Sequence, residues 1–117
     1  MTLLKVLNTE NPGEPRILDV DPQKILSGNP EFRVWDFDES RDGQVKTGIF
    51  EGTPGENRSI KGENFEFCLL LEGVIELTED GQPPITLRKG DSFVMKPGYK
   101  GVWKTIEKAR KLYVVVG

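Results

Sequence analysis

The stretch Asn64–Trp103, "NFEFCLLLEGVIELTEDGQPPITLRKGDSFVMKPGYKGVW", decides the fold. Short apolar runs, "NFEFCLLL", "VIELT", "ITLR" and "SFVMK", are separated by "EG", "EDGQPP", "KGD" and "PGYKG". Runs of four to eight residues rich in β-branched and aromatic side chains, bounded by Gly, Pro and Asp, read as strands joined by tight turns. Downstream, "VWKTI" and "KLYVVV" flank a charged bend, "EKAR". Upstream, "RILDV", "EFRVWDF" and "VKTGIFEG" are further strands, with a hairpin turn at Asp42-Gly43 where glycine accepts a positive φ. Asp21 and Pro22 in "DPQKILSG" suit a cap and a first helical position, which predicts one helical turn. Nine or ten short strands at this spacing predict an all-β sandwich or barrel rather than a parallel sheet.

At 117 residues the chain is expected to form a single domain over 1–117. With 36% hydrophobic and 30% charged residues it reads as globular rather than disordered. No apolar run reaches the roughly 20 residues of a membrane helix, and the first residues lack a secretory pattern, so a cytoplasmic protein without a membrane partner is expected. One cysteine, Cys68, excludes an internal disulfide. A net charge of −3 without a basic stripe argues against nucleic acid as a partner.

The motifs then carry a resemblance. "EFCLLLEG", Glu66 to Gly73, resembles the end of the first cupin motif, with Glu66 in the glutamate place and Gly73 as the closing glycine. "GDSFVMKPG", Gly90 to Gly98, resembles the second motif with its proline displaced to Pro97. Together with "GIFEGTPG" and "ARKLYVVV", these segments are similar to small single-domain cupins related to ureidoglycine aminohydrolase and the ethanolamine-utilisation cupin, over about residues 48–116. The resemblance implies a jelly-roll barrel, commonly a homodimer, with its pocket inside the barrel.

Metal-binding cupins use three histidines and one glutamate, and this chain has no histidine. By the resemblance, the two first-motif histidines would fall around Ser59 to Gly62, "SIKG", and the second-motif histidine at Gly101. Only Glu66 is kept, so no metal or other cofactor is expected. Period-two alternation places Cys68 and Leu70 on the face of Glu66. The family pattern makes Phe50, Trp103 and Tyr113 an aromatic wall, with Trp103 on the face of Gly101. A carboxylate in an apolar barrel either has its pKa raised or finds a cation, and Arg58 and Lys111 are the candidates. Glu66 is then a general acid or base, a binding group, or a plain salt bridge. Cys68 lacks a base to activate it and reads as a small buried residue lining the pocket. Glu51 and Glu56 are ambiguous between rim and pocket.

Three functions follow. One is a metal-independent enzyme acting on a small polar metabolite, with Glu66 as its catalytic group. The second is a non-catalytic module binding that small molecule as a sensor or carrier. The third is a structural dimer whose barrel is filled by Phe50, Phe93, Met95 and Trp103.

Overall fold

The computed structural model describes residues 2–117. Nine strands follow one another: β1 Arg16–Leu18, β2 Ile25–Gly28, β3 Phe32–Ser40, β4 Val45–Gly52, β5 Gly55–Ile60, β6 Phe65–Glu79, β7 Ile85–Arg88, β8 Ser92–Met95 and β9 Lys100–Val116. A 3-10 turn, Pro22–Lys24, precedes β2; Pro22 opens it, and the Asp21 carboxylate accepts the Gln23 N–H at 3.0 Å. The β3–β4 hairpin turns through Arg41–Gln44, closed by the Gln44 N–H donating to the Arg41 carbonyl at 3.1 Å. Among the described residues no helix is long and apolar enough to cross a membrane.

Every pairing is antiparallel, and two long strands organise all of them. The last half of β9 lies between β4 and the first half of β6, while its first half lies between β5 and the last half of β6. The far side of β6 pairs with β8 along its first half and with β7 along its last half. Two sheets therefore share the antiparallel β6–β9 pair: β1-β3-β4-β9-β6-β8 and β2-β5-β9-β6-β7. The sheets face each other across an interior holding Cys68, Leu70, Ile75, Leu77, Met95, Trp103 and Ala109. This is the jelly-roll architecture expected from the sequence.

Two expected strand breaks are corrected. "EG" and "EKAR" do not separate strands; both lie inside continuous strands, at the point where the β6–β9 pair passes from one sheet to the other. The β6–β9 register shifts three times between Leu70 and Ile75, and such bulges bend a strand while its ladder resumes beyond them. Gly73 makes the bend possible. Its φ is +88°, and a Cβ there would strike the Lys108 carbonyl and come within 2.5 Å of the Ala109 Cα.

On the outer face of the first sheet, Trp35 and Ile49 are buried. The Trp35 indole N–H donates to the Gly13 carbonyl at 2.8 Å, and the Arg110 guanidinium stacks 4.6 Å from its ring centroid. Glu51 completes this cluster, accepting from Arg110 Nε at 2.5 Å.

A Gly73→Ala substitution combines left-handed strain with a backbone clash at the shared β6–β9 pair. It is expected to lower stability by about 2–4 kcal/mol, read as a lower urea midpoint in equilibrium unfolding.

Candidate functional site

Alternation along β6 turns Glu66, Cys68 and Leu70 inward, and all three are buried. Glu66 is 5% exposed and holds two ammonium groups. Its Oε1 accepts from Lys61 Nζ at 2.8 Å, and its Oε2 accepts from Lys111 Nζ at 2.6 Å and from the Cys68 thiol at 3.1 Å. Lys111 reaches it from β9, where it stands opposite Leu70 on one side and Phe50 on the other. Lys61 comes from the short loop between β5 and β6.

Lys111 is 7% exposed, an unusual place for an ammonium group. Its neighbours explain how it is tolerated: besides Glu66, Nζ lies 4.6 Å from the Trp103 ring centroid and 4.9 Å from that of Phe50. A cation over desolvated aromatic faces is attracted by their quadrupoles. The rings support one another, Phe50 meeting Trp103 edge-on at 6.4 Å and Phe93 tilted at 6.1 Å. The Trp103 N–H is satisfied by Thr105 Oγ1 at 3.1 Å. The gap between Lys111, Phe50, Trp103, Thr105 and Ala109 is too narrow to admit water.

This geometry fixes the protonation states. Burial pushes the Glu66 carboxyl up, but Lys111 and Lys61 outweigh it and hold its pKa down at about 2. Burial pushes the Cys68 thiol up to about 12, reinforced by the Glu66 charge. Burial opposes the charged form of Lys111, and Cys68 and Glu66 overcome it, leaving its pKa above the ordinary lysine value. At neutral pH Glu66 is a carboxylate, Cys68 a thiol and Lys111 an ammonium ion. Glu66 is too weak a base, and already too occupied, to take a proton from a substrate. Cys68 is not a thiolate, so it lacks the form that attacks.

The metal that the fold family often carries does not fit these residues. Among the described residues no three Cys, Asp or Glu side chains cluster as ligands. Both oxygens of Glu66 are taken by ammonium groups that would have to leave. The second-motif histidine place is also filled. A Cβ on Gly101 would stand 2.6 Å from the Tyr99 phenol oxygen, so the Tyr99 ring occupies the space a side chain there would enter. That oxygen is buried and has no hydrogen-bond partner among the described residues.

Of the residues singled out in the sequence, Glu66, Cys68, Lys111, Phe50 and Trp103 come together. Tyr113 stands beside them, opposite Cys68 and Gly48, with its phenol oxygen 2.6 Å from where a Gly48 Cβ would be. Burial, with Asp36 next, pushes its pKa up. Arg58 stands apart, its guanidinium engaged two-pronged with Asp80. Glu51 belongs to the outer-face cluster with Arg110, and Glu56 accepts from the Ser27 hydroxyl at 2.7 Å. Lys61 and Tyr99 were not singled out. Lys61 had a signal, because it lies inside the "SIKG" stretch where the resemblance puts metal ligands. Tyr99 had none, because its ring folds back over a glycine two residues ahead.

Next to this cluster a groove of about 730 Å³ opens between β7, β8 and the end of β6. Leu77, Ile85, Leu87, Phe93, Met95 and Tyr99 line it, with Glu79 and Lys96 as its charged residues. Met95 pairs across the ladder with Glu66, and Phe93 packs on Trp103, so the groove wall backs onto the charged cluster.

Replacing Glu66 by Gln leaves two ammonium groups facing a neutral amide, and is expected to cost about 3–5 kcal/mol. The sign of the pH dependence follows from a folded pKa below the unfolded one. Stabilisation by Glu66 is full above about pH 4.5 and is lost as pH falls towards 2. It amounts to roughly 3 kcal/mol, and urea titrations at stepped pH should show that slope in the wild type and not in the variant. Cys68 is expected to resist iodoacetamide at pH 8 in the folded protein and to react at once in 8 M urea, read by mass spectrometry.

The comparisons agree with the geometry. The model of the EutQ-like cupin domain matches residues 39–113. None of the curated proteins matches significantly. A DUF861-family protein of unknown function from Pseudomonas syringae pv. tomato superposes with a TM-score of 0.78 at 24% identity, over 89% of this chain; the chain spans only 45% of that protein. The EutQ protein of Clostridium difficile gives 0.65 at 16% identity, over 85% of this chain and 80% of that one. A DUF861-family protein from Thermotoga maritima is 31% identical over 56% of this chain and 73% of its own, with a TM-score of 0.52. With the family model covering well over half of its length, the chain belongs to the EutQ-like cupin domain family.

Proposed function

We propose that this cupin domain binds a small metabolite in the groove at the mouth of its barrel, without a metal, as a binding module rather than as an acid–base enzyme. The observation that carries this reading is the groove itself: about 730 Å³, mostly apolar, with a few polar groups near its wall. That size and lining suit a small ligand. The deep interior does not compete for it, because Phe50, Trp103 and Lys111 close around a space too narrow for water. Glu66 serves the site by pinning Lys61 and Lys111 behind the groove wall, and its depressed pKa argues against a proton-transfer role.

A homodimer is compatible with this reading and is favoured by a separate feature. On the outer face of the first sheet Phe67, Val94 and Val116 are exposed next to half-buried Phe65 and Val114. A second copy covering this face would remove an apolar surface from water.

The test is an amide-resolved NMR screen with small fragments of apolar body. Perturbations are expected to cluster at Leu77, Leu87, Phe93, Met95 and Tyr99, and to disappear in a Leu87→Arg variant whose melting temperature is unchanged. Fragments that perturb only Gly52, Leu70 and Ala109, or that bind the Leu87→Arg variant equally well, would defeat the reading.

A further inference from the structure

We infer that two copies of this chain hold each other by exchanged segments, residues 2–6 of each copy packing on Phe67, Val94 and Val114 of the other. The inference rests on the homodimer reading above and adds what builds the interface; it does not depend on the groove.

The two sheets differ on the sides they turn away from the core. Outward residues of the second sheet form charged rows such as Glu56–Lys104–Glu76 and Arg58–Val102–Thr78. That is the solvated face an antiparallel sheet commonly shows. On the first sheet the residues that alternate with Glu66 and Lys111 are Phe65, Phe67 and Leu69 on β6 and Leu112, Val114 and Val116 on β9. Val94 extends them onto β8, opposite Phe67. None of these side chains is charged, so the face selects an apolar partner rather than an oppositely charged one.

Half of that face is already covered. On its β3–β4 side Trp35 and Ile49 are buried, whereas on its β6–β8 side Phe67 and Val94 are 38% and 47% exposed. The cover on the first side includes the chain ahead of β1. The Gly13 carbonyl accepts from the Trp35 indole, and Lys5 donates to the Phe37 carbonyl and pairs with Asp38 at 3.5 Å. Asp38 stands opposite Thr47, in line with Val114, Phe67 and Val94. Lys5 therefore fixes residues 2–6 at the margin of this same face. Yet Leu3, Leu4 and Val6 are 97%, 81% and 87% exposed. With Lys5 engaged by Asp38, what this segment offers a partner is apolar.

The exposed segment and the bare strands thus lie on opposite halves of one face. A two-fold axis running along the strands stacks two such faces so that the β3 side of one copy lies over the β8 side of the other. Each segment then meets the other copy's bare half, and the same contact is made twice, as an isologous dimer requires. Size points the same way. Three strands about 4.8 Å apart, crossed by three rows about 7 Å apart, make a bare patch of roughly 300 Å². A stable interface takes about 800 Å² from each partner, so the bare strands need the segment to reach it.

The experiment uses the full chain. Light scattering at micromolar to submillimolar concentration is expected to give twice the 13.2 kDa of one chain. In a mixture of isotope-labelled and unlabelled copies, filtered NOE spectra should join the Leu4 and Val6 methyls of one copy to Phe67, Val94 or Val114 of the other. Leu4→Asp combined with Val6→Asp should weaken dimerisation about 10-fold or more, because each carboxylate would be buried in an apolar contact. Both side chains are exposed in the single copy, so its circular dichroism should not change. A dimer that the double variant leaves as tight, or intermolecular signals that involve neither Leu4 nor Val6, would overturn the exchange and leave the homodimer standing. A protein that stays monomeric up to submillimolar concentration would overturn both. Either result leaves the groove reading untouched.

Discussion

A carboxylate held between two ammonium groups inside an apolar barrel is the interaction on which the rest of this molecule depends. Glu66 would be intolerable in that interior alone, and so would Lys111. Together they satisfy each other, and Lys61 occupies the remaining oxygen. The aromatic rings are placed by the same requirement. Phe50 and Trp103 give Lys111 a desolvated environment it can accept, and in doing so they fill the depth of the barrel. What is left open is the mouth. The charged cluster therefore holds Glu66 as a carboxylate engaged by two ammonium groups and Cys68 as a thiol.

The relation to metal-binding relatives is one of electrostatic substitution. Where such a site gathers neutral imidazoles and a carboxylate around a cation, this chain keeps the carboxylate and brings cations covalently attached to its own backbone. Lys61 reaches Glu66 from the stretch where the resemblance would place histidines, and Lys111 reaches it from β9. A buried ion pair of this kind is weak evidence for added stability by itself, but removing one partner is costly. Such a cluster is better understood as a device that fixes side-chain positions around the groove than as a source of net stabilisation.

Much of the fold could be read from the chain. Alternation placed Glu66, Cys68 and Leu70 on one face, and turn chemistry placed the 3-10 turn at Pro22–Lys24 and the hairpin at Asp42-Gly43. The continuity of β6 and β9 could not be read, because Gly73 inside a bulge looks the same in sequence as Gly73 in a turn. Local composition reports the bend, while the pairing that continues beyond it depends on residues far away in the chain. The site was legible in part for a similar reason. Lys111 sits in an alternating strand whose facing is computable, so its pairing with Glu66 could be anticipated. Arg58 was an equal candidate by proximity, but the side chain lies on the opposite face, towards Asp80. Lys61 and Tyr99 lie in loops, where no period links position to direction.

The pair of strands shared by both sheets, β6 and β9, has a consequence for how the protein reaches this structure. β9 pairs with β4, β5 and β6, and Phe65 stands opposite Val116 across an intervening stretch that must first be looped out. Neither sheet can close before Lys100–Val116 is available. Most contacts that define the interior are therefore non-local, and chains of that kind fold slowly because the entropy of loop closure is lost before the contacts form. Until β9 is available β4, β5 and β6 would wait with open edges, and each of those strands carries charged residues, Lys46, Arg58 and Glu76 among them, of the kind that disfavours pairing with a wrong neighbour.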